Sequence, residues 1–524
     1  MLKKKKGFTL IELLAVIVIL GTIMTLIIPK VIKTIERNQT KLVENSVRGL
    51  IRAVDIAQKE NVLDDDLESI TFTYENGNET SNVGNLTLEY TGKRPENGTI
   101  IINEIGEIAL ALHDGNYCIE KDFTSDDIII TKTLLDDCNL DIPIYYTDAS
   151  GANSPRLLKG MTAVVWDEST SEWIEASNID DPDTQNWFDY SEGKWANAIT
   201  KDEDGNIATF WVWIPRYAYK IEDGFHDSIA GTIDIEFLRG TSNNPKNKTK
   251  IETSGYGEEI DNVIQNTSNN YFLHQAFDFS NDGKSNPIPG FWVAKFEPSM
   301  SSNKIRVVPN ENSVASKTVS EFYTLGLDMK TYICNGQCDA GTDTHMMKNI
   351  EWGAVAYLSQ SEYGIGTELE HNDNSSKTGG ANYTTNKNQS TTGTIYGIYD
   401  MNGGKYEYVA AYVNNGHSNL TTYGSNIVGA DLKYKDFYEV GSPENAQNNY
   451  EASKDIYGDA IWETSKSGTG LTSWHTAYSS FVYSDNPWLI RGGGAGVSAA
   501  GVFSFNHRNG SSLSNSSFRP VALR

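Results

Sequence analysis

Residues 1–30 of the chain are MLKKKKGFTLIELLAVIVILGTIMTLIIPK. Within this stretch, residues 8–28 carry a single charged side chain, that of Glu12. A helix of this length, at about 1.5 Å per residue, is long enough to cross a hydrocarbon core of about 30 Å. The lysines at positions 3–6 precede the apolar run, and such clusters stay on the cytoplasmic side of a membrane. The stretch therefore predicts one transmembrane helix whose N-terminal end lies in the cytoplasm.

Two simpler interpretations compete with this one, namely a secretory signal peptide and a plain membrane anchor. The apolar run is long for a signal peptide, and no small-x-small cleavage pattern follows it. A plain anchor gives no role to Glu12, although a carboxylate at that depth costs about 2.5 kcal/mol or more and is functional by default. Glu12 therefore favours a segment that is processed or assembled.

The segment around Glu12 resembles the leader-peptidase and N-methylation motif of type IV pilins and pseudopilins. Gly7 stands before the cleavage point, Phe8 follows it, Glu12 comes after it, and Pro29 ends the apolar run. The resemblance covers about the first 60 residues. It implies cleavage between Gly7 and Phe8 by a prepilin peptidase, methylation of the new Phe8 amine, and assembly with other pilin subunits. Glu12 would then neutralise the N-terminal amine of a neighbouring subunit, because a buried charge is tolerated when it is paired.

The composition excludes one broad class of function. The chain has 524 residues, with 69 acidic and 43 basic side chains and a formal charge of −26. Loss of residues 1–7 would remove four lysines and take the formal charge to −30. Nucleic-acid binding as the main activity needs clustered Lys and Arg, so we expect no nucleic-acid partner. An aromatic content of 11% also argues against a disordered acidic tail.

An amphipathic helix and a small β module are expected behind the apolar run. Apolar residues recur at three- and four-residue spacing to about residue 60, and we assign residues 8–60 to one pilin-type helix after a leader at 1–7. Between 61 and 147 the apolar period changes to two, with Asn-Gly and Asp-Gly turns. An exported compartment favours a disulfide between Cys118 and Cys138, and a reduced pair is the alternative.

A second, larger region begins near residues 145–155, where a Ser/Asn/Gly/Pro-containing linker occurs. Every tryptophan lies between Trp166 and Trp488, and residues 155–289 form an aromatic-rich β region that could begin the head domain. Residues 367–393 contain few apolar side chains and predict a long surface loop. Cys334 and Cys338 have no second pair to complete a zinc site, which favours a loop-closing disulfide over a metal or redox role.

The C-terminal region, residues 290–524, carries a second resemblance. Four blocks occur in order: 290–297 (GFWVAKFE), 350–357 (IEWGAVAY), 396–409 (YGIYDMNGGKYEYV), and 489–494 (LIRGGG) followed by 516–520 (SSFRP). Together they resemble the formylglycine-generating-enzyme family, whose fold is a variant of the C-type lectin fold. With the N-terminal helix and the β module, the whole chain is expected to be an α+β protein with a large β-rich head.

The departures from this second family decide the expected activity. Its enzymes carry a catalytic cysteine pair between the Arg-Gly-Gly block and the final Phe-Arg, whereas residues 491–524 contain no cysteine. Without a thiolate there is no nucleophile or metal ligand for that oxidation, so we expect a non-enzymatic relative.

The same family implies a calcium site formed by Asp400, the backbone of Gly403 and Lys405, and Glu407. Carboxylate and carbonyl oxygens are the ligands that calcium prefers. The alternative is that Asp400 caps a turn and Glu407 lies on a solvated strand. No other cofactor is expected.

The sequence as a whole predicts a pilin-like subunit, minor or at a filament tip, that displays a non-enzymatic lectin-fold head for adhesion or ligand binding. The extracellular ligand would be a glycan or a protein. Such a chain would sit in the cytoplasmic membrane as a single-pass precursor and then move to the cell surface. The alternatives are a pseudopilin of a type II secretion or DNA-uptake machine and an enzyme related to the formylglycine-generating family.

Overall fold

The structure is a computed structural model, and it describes part of the chain. The described residues are 35–59, 69–84, 86–103, 107–121, 123, 128–138, 140, 142, 147–179, 184–241, 251–252, 259–260, 263–264, 271–280, 286–301, 304–334, 338 and 341–524. The chain divides into two compact units, Met1–Ile142 and Pro143–Arg524. Strands outnumber helices in both units, and the predicted α+β class is confirmed.

The first unit combines one helix with one sheet in its described part. Helix α1 occupies residues 35–59, and the sequence pattern places its end near residue 60. The strands are β1 (Ser69–Glu75), β2 (Asn78–Ser81), β3 (Asn97–Asn103), β4 (Ile108–His113), β5 (Tyr117–Lys121) and β6 (Ile129–Lys132). They form an antiparallel sheet in the order β2-β1-β3-β4-β5-β6, in which consecutive strands after β2 are neighbours.

The C-terminal half of α1 supplies the helical side of this unit's core. Val47, Leu50 and Val54 are buried in one cluster with residues of β1, β3 and β4. Farther towards the N-terminus of the helix, Ile35 and Leu42 are 51% and 67% exposed. Only the second half of the apolar stripe of α1 therefore packs against the sheet.

The predicted transmembrane segment, residues 8–28, lies outside the described residues. Among the helices of the described segments, none combines the length and the apolar character that a membrane crossing requires.

The second unit contains the remaining strands and helices. Its strands are β7 (Thr162–Asp167), β8 (Glu172–Glu175), β9 (Asn197–Lys201), β10 (Ile207–Pro215), β11 (Tyr217–Ile221), β12 (Ile233–Phe237), β13 (Ile251–Glu252), β14 (Glu259–Ile260), β15 (Val263–Ile264), β16 (Tyr271–Leu273), β17 (Gly290–Ala294), β18 (Ser299–Ser301), β19 (Lys304–Arg306), β20 (Asp343–Met346), β21 (Tyr406–Val413), β22 (Asp436–Tyr438), β23 (Thr469–Ser473), β24 (Ala477–Ser480), β25 (Trp488–Gly492), β26 (Gly501–Arg508), β27 (Ser516–Phe518) and β28 (Pro520–Leu523). Its helices are α2 (Val319–Ile333), α3 (Asn349–Gln360), α4 (Ser418–Val428) and α5 (Ala446–Ala452).

Two large sheets organise this unit. The first has the order β20-β28-β17-β10-β9-β7-β8 and is antiparallel throughout its described pairs. The second has the order β22-β21-β25-β26-β24-β23, and β27 also pairs with β21. Because β10 lies directly beside β17, the segments 155–289 and 290–524 share one sheet. The aromatic-rich segment is thus an integral part of the head.

Aromatic side chains fill the interior of the second unit. All of the tryptophans lie in described segments, and eight are buried: Trp187, Trp195, Trp211, Trp213, Trp292, Trp352, Trp474 and Trp488. Trp213 and Trp292 pack with their ring centroids 5.2 Å apart across the β10–β17 pair. Burial of such rings contributes much of the apolar driving force in a core. Most of the aromatics therefore stabilise the head and are not available as a binding surface.

The segment 367–393 contains no strand, but it is not simply a surface loop. Asn372 and Thr378 are buried, and so are the residues at 389–392. Thr378 Oγ1 donates to the carbonyl oxygen of Val308 over 2.7 Å. Side-chain hydrogen bonds of this kind hold a polar segment inside the protein, because a buried polar group is costly only when it is unpaired.

Candidate functional site

The residues of the predicted processing motif lie outside the described part of the chain. Gly7, Phe8, Glu12 and Pro29 all fall within residues 1–34.

The four cysteines form two pairs. Cys118 of β5 is bonded to Cys138, which follows the last strand of the first unit. Cys334, directly after α2, is bonded to Cys338. Each pair closes a loop within one unit, which is a structural role.

Three of the family-like blocks meet at one buried arginine. Arg519 Nε donates to Glu407 Oε2 over 3.0 Å. Its Nη1 donates to the carbonyl oxygen of Ala294 over 2.7 Å, and its Nη2 donates to that of Tyr399 over 2.9 Å. Neither Arg519 nor Glu407 has exposed side-chain surface. The guanidinium thus joins the end of β17, the turn before β21, and β21 itself to the C-terminal segment.

Asp400 lies next to this ion pair and is held by N–H donors. Gly379 N donates to Asp400 Oδ1 over 2.8 Å, and Asn372 Nδ2 donates to the same oxygen over 2.9 Å. Glu297 N donates to Oδ2 over 3.2 Å. Asp400 itself has a φ of 66°, in the left-handed region that Asp tolerates better than most residues. Asp400 therefore fixes a turn and ties the segment around Asn372 and Gly379 to the core.

A third carboxylate, that of Glu297, completes the cluster. Lys405 N donates to Glu297 Oε1 over 2.8 Å. Burial raises the pKa of Glu297 well above its usual value, and the neighbouring charges of Asp400 and Glu407 raise it further. Burial also raises the pKa of Glu407, to about 7, against the opposing charge of Arg519. The charge of Arg519 favours the ionised forms of Asp400 and Glu407, whereas burial and these two neighbouring charges disfavour ionisation of Glu297.

The carboxylate oxygens predicted to bind calcium accept hydrogen bonds from protein groups. Both oxygens of Asp400 accept from N–H donors, and both oxygens of Glu407 accept from Arg519. Among the described residues, no group of three or more His, Cys, Asp or Glu is placed to hold a metal ion. Both carboxylates are therefore engaged by N–H donors, which agrees with the turn-capping alternative for Asp400, and the calcium site stays a prediction from the sequence.

An open cleft of about 630 Å³ lies elsewhere on the second unit, and no sequence motif predicts it. One wall is the connection between β11 and β12, residues 222–232. The other wall is the turn His475–Thr476, and the floor comes from Gln360 at the end of α3 and from Glu368 in the following segment. A cleft of this size falls in the range of small-molecule sites.

The first wall is anchored by aromatic contacts. Trp474 Nε1 donates to the carbonyl oxygen of Gly224 over 2.8 Å. His226 stacks on Trp462 with ring centroids 4.0 Å apart, and its backbone N donates to the carbonyl oxygen of Glu463 over 2.7 Å. At Gly231 an added Cβ would lie 1.7 Å from the carbonyl oxygen of Asp223, so only glycine fits the pinched base of this connection. The wall is therefore held in one conformation.

The second wall has an unusual backbone. His475 and Thr476 have φ values of 59° and 58°, two consecutive non-glycine residues in the left-handed region. A β-branched residue such as Thr476 is a true outlier there, and strain of this kind costs about 1–3 kcal/mol per residue and clusters at functional sites. Thr476 N donates to the carbonyl oxygen of Ser228 over 3.4 Å, which joins the two walls.

The hydrogen bonds of Gln360 fix the protonation of His475. Gln360 Nε2 donates to the carbonyl oxygens of Gly231 (3.2 Å) and Gly366 (3.4 Å), so its Oε1 is the atom that faces His475 Nε2 at 3.0 Å. His475 must then donate from Nε2, which leaves Nδ1 as an acceptor. Burial lowers the pKa of His475, so the imidazole is neutral at pH 7.

Two carboxylates line the cleft, and no lysine or arginine is among its described lining residues. Burial raises the pKa of Glu368, while the charge of His371 opposes this shift. Glu368 Oε1 lies close to Gly501, where an added Cβ would approach it to 3.0 Å. Asp223 Oδ1 accepts from Thr232 N over 2.6 Å. The site is thus polar, weakly acidic and rich in hydrogen-bond acceptors.

Comparison with known proteins bears on the N-terminus. Residues 2–28 match the family model described as the prokaryotic N-terminal methylation motif. No curated protein matches the chain.

The chain therefore has the N-terminus of a type IV pilin or pseudopilin-like protein. The motif implies processing by a prepilin peptidase and assembly with other pilin-type subunits, from a membrane-anchored precursor to a surface filament. The motif thus supports a pilin- or pseudopilin-like subunit.

Proposed function

We propose that the chain is a minor or tip subunit of a type IV pilin-like filament and presents its second unit as a non-enzymatic, ligand-binding head. The observation that carries this proposal is the methylation motif at residues 2–28. The second unit, Pro143–Arg524, is much longer than the first, Met1–Ile142. A head of that size would crowd a filament built from this chain alone, so a minor or tip position suits it better than the shaft.

We infer that the head has a variant of the C-type lectin fold, similar to that of the formylglycine-generating-enzyme family. The contacts of Arg519 support this inference because they join residues from three of the four family-like blocks. The remaining block contributes Trp352, which lies 5.7 Å under the guanidinium of Arg491. Trp352 Nε1 also donates to the carbonyl oxygen of Val502 over 2.8 Å. Motifs far apart in the sequence thus form one core.

The cysteines support a non-enzymatic head. Residues 491–524 contain none, and the four cysteines of the chain are paired at 118–138 and 334–338. Oxidation of the type catalysed by the family requires a reactive thiolate, which a disulfide does not supply. Copper-dependent turnover by the purified chain would overturn this part of the proposal.

A pseudopilin role in secretion or DNA uptake is the second candidate, because pseudopilins carry the same motif. The acidic charge of −26 disfavours DNA as the cargo. The two roles differ in the final location of the protein in the cell. A pilin subunit reaches extracellular fibres, whereas a pseudopilin remains in the cell envelope.

Immunogold electron microscopy tests this proposal on cells with and without the prepilin peptidase. We expect label on extracellular fibres in normal cells and its loss in cells without the peptidase. Glu12→Gln should also remove label from fibres, since the carboxylate is needed to pair with a neighbouring amine. Ala15→Val, in the same apolar run, is the matched control and should assemble normally. Label that stays in the membrane in all of these cells would overturn the proposal.

A further inference from the structure

We propose that the cleft between the β11–β12 connection and the His475–Thr476 turn binds a neutral, polyhydroxylated ligand, that is, a glycan, without a metal ion. This inference rests on the display function proposed above and concerns the chemistry of the ligand. The calcium site implied by the family resemblance is not part of it.

The hydrogen-bonding groups of the cleft suit hydroxyls. Glu368 and Asp223 contribute carboxylate oxygens, and His475 contributes a neutral imidazole whose Nδ1 is an acceptor. Ser228 and Thr476 add hydroxyls that both donate and accept. A sugar hydroxyl can donate to the carboxylates and to the imidazole nitrogen, and it can both donate to and accept from the two hydroxyls. A carboxylate acceptor gives the stronger, charge-assisted bond.

An apolar contact completes the recognition of a sugar ring. The side chain of Ile229 lines the same cleft and is 72% exposed. A pyranose has hydroxyls at its edge and C–H groups on its faces, so it can use polar walls and one apolar side chain together. The side chain of Ile229 is therefore available to pack against a C–H face of the ring.

The geometry favours a preorganised site. The first wall is held by Trp474 and by the stacking of His226 on Trp462, and the second wall keeps strained backbone at His475 and Thr476. Preorganised walls lower the entropic cost of binding, because loops need not be ordered when the ligand arrives. The strain is retained because Gln360 and the first wall hold the turn through hydrogen bonds.

A cationic ligand fits the cleft less completely. A protonated amine would pair with Glu368 and Asp223 and could donate to Nδ1 of His475, but it has no acceptor for the hydroxyl protons of Ser228 and Thr476. An apolar ligand would leave all of these polar groups unpaired and desolvated, which is costly. A polyhydroxylated ligand pairs with the largest share of the lining.

The experiment uses the full-length chain in a detergent without sugar groups, since an alkyl maltoside would itself compete. An array of neutral oligosaccharides is screened, and calorimetry gives the Kd for the strongest binder. The test variants are Glu368→Gln and Thr476→Val. The matched controls are Glu370→Gln, the same charge change two residues away, and Thr469→Val on β23. The expected result is binding that weakens about tenfold in each test variant and less than twofold in each control.

Three results would overturn the inference: no oligosaccharide binds, the test variants bind as tightly as the original chain, or tetralysine binds more tightly than every neutral oligosaccharide. Near-ultraviolet circular dichroism checks that each variant is folded. If Thr476→Val does not fold, Glu368→Gln alone decides, because it keeps the shape of the side chain. Binding that persists in excess EDTA is also required. Filaments that label normally while the protein binds no glycan would overturn this inference and leave the display function intact.

Discussion

Arg519 Nε lies 3.0 Å from Glu407 Oε2, and both side chains are completely buried. This pair connects the C-terminal segment to β21. Other N–H groups of the same guanidinium donate to the carbonyl oxygens of Ala294 and Tyr399. The last residues of the chain are therefore a central part of the head. Through Glu407 and Ala294, the guanidinium of Arg519 joins motifs that lie 112 and 225 residues away in the sequence.

Arg519→Met should strongly destabilise the head. Removing one partner of a buried ion pair leaves the other uncompensated, at a cost of about 3–5 kcal/mol. Urea unfolding followed by tryptophan fluorescence measures this change, and it reports on the second unit alone because every tryptophan lies at 166–488. Lys454→Met removes an exposed cation as the control and should change the free energy of unfolding by less than about 0.5 kcal/mol. A loss below about 1 kcal/mol for Arg519→Met would contradict the central role of the pair.

His345 should make the stability of the head decrease at alkaline pH. Its Nδ1 lies 3.0 Å from Asp343 Oδ1, and its Nε2 lies 2.9 Å from Glu351 Oε1. Burial alone would lower the pKa of His345, but Glu351 and Asp343 raise it to about 9. A histidine pKa raised from about 6.5 stabilises the folded state below pH 6.5, and about 3 kcal/mol is lost as the pH rises to 9. Lys433 and Tyr434 also contact Asp343, and Lys348 lies beside Glu351.

The measurement is the free energy of unfolding between pH 6 and pH 9.5 for the original chain and for His345→Gln. The variant should be less stable at pH 6 and should have a much flatter profile over this range. At acid pH the dependence has the opposite sign, and the free energy of unfolding falls as the pH falls. The cause is Asp343, whose pKa is lowered to about 2 despite burial, by His345 above all. That contribution is present above about pH 4 and is lost as the pH falls through 2. Parallel alkaline profiles for the two proteins would show that His345 is not charged in the folded state.

Gly353→Ala should destabilise the head although Ala favours helices. Gly353 lies in the interior of α3, and the substitution gains about 1 kcal/mol of helix propensity. An added Cβ would, however, lie 1.9 Å from the carbonyl oxygen of Gly458, a backbone atom that cannot rotate away. Overpacking of this kind costs about 1–3 kcal/mol or more, so a net loss is expected in thermal unfolding. Gly49→Ala in α1, where the nearest atom is the carbonyl oxygen of Thr91 at 3.3 Å, should be tolerated.

Reduction should weaken the first unit more than the second. The bond between Cys118 and Cys138 spans 20 residues, whereas that between Cys334 and Cys338 spans 4. The chain-entropy relation gives about 3 kcal/mol for the longer loop and about 2 kcal/mol for the shorter. Hydrogen exchange of β4 and β5 before and after reduction measures the first value. Unchanged exchange in these strands would show that the sheet is stable without the bond.

Calcium should leave the stability of the head unchanged. Both oxygens of Asp400 and of Glu407 already accept hydrogen bonds from N–H groups, so a calcium ion would have to displace buried donors. We expect the same melting temperature with millimolar calcium and with excess EDTA. A rise in the melting temperature with calcium, abolished by Asp400→Asn, would restore the site that the family resemblance implies.

Some features of the structure could be predicted from the sequence because they depend on local pattern. The three- and four-residue spacing of apolar side chains predicts α1, and the period of two predicts the strands that follow. The turn at Asp400 agrees with the turn-capping alternative that the sequence left open beside the calcium site. Such patterns report which face of an element is buried, and that face is decided locally.

Other features depend on partners far away in the sequence. The segment 367–393 looks exposed because it contains few apolar residues, yet Asn372 and Thr378 are buried through hydrogen bonds to Asp400 and Val308. The cleft could not be predicted from the sequence, because its lining comes from three separate segments, residues 223–232, 360–368 and 475–476. The commitment of Glu407 to Arg519, 112 residues away, likewise could not be read from the local motif.

The most direct test of the pilin-like assignment is mass spectrometry of the N-terminal peptide from protein sheared off the cell surface. We predict a mature chain that begins at an N-methylated Phe8, in the surface fraction of normal cells only. Cells without the prepilin peptidase should retain a chain that still contains residues 1–7, and it should be in the membrane fraction. A surface protein that still carries the lysines at positions 3–6, or that is cleaved at another position, would contradict the account.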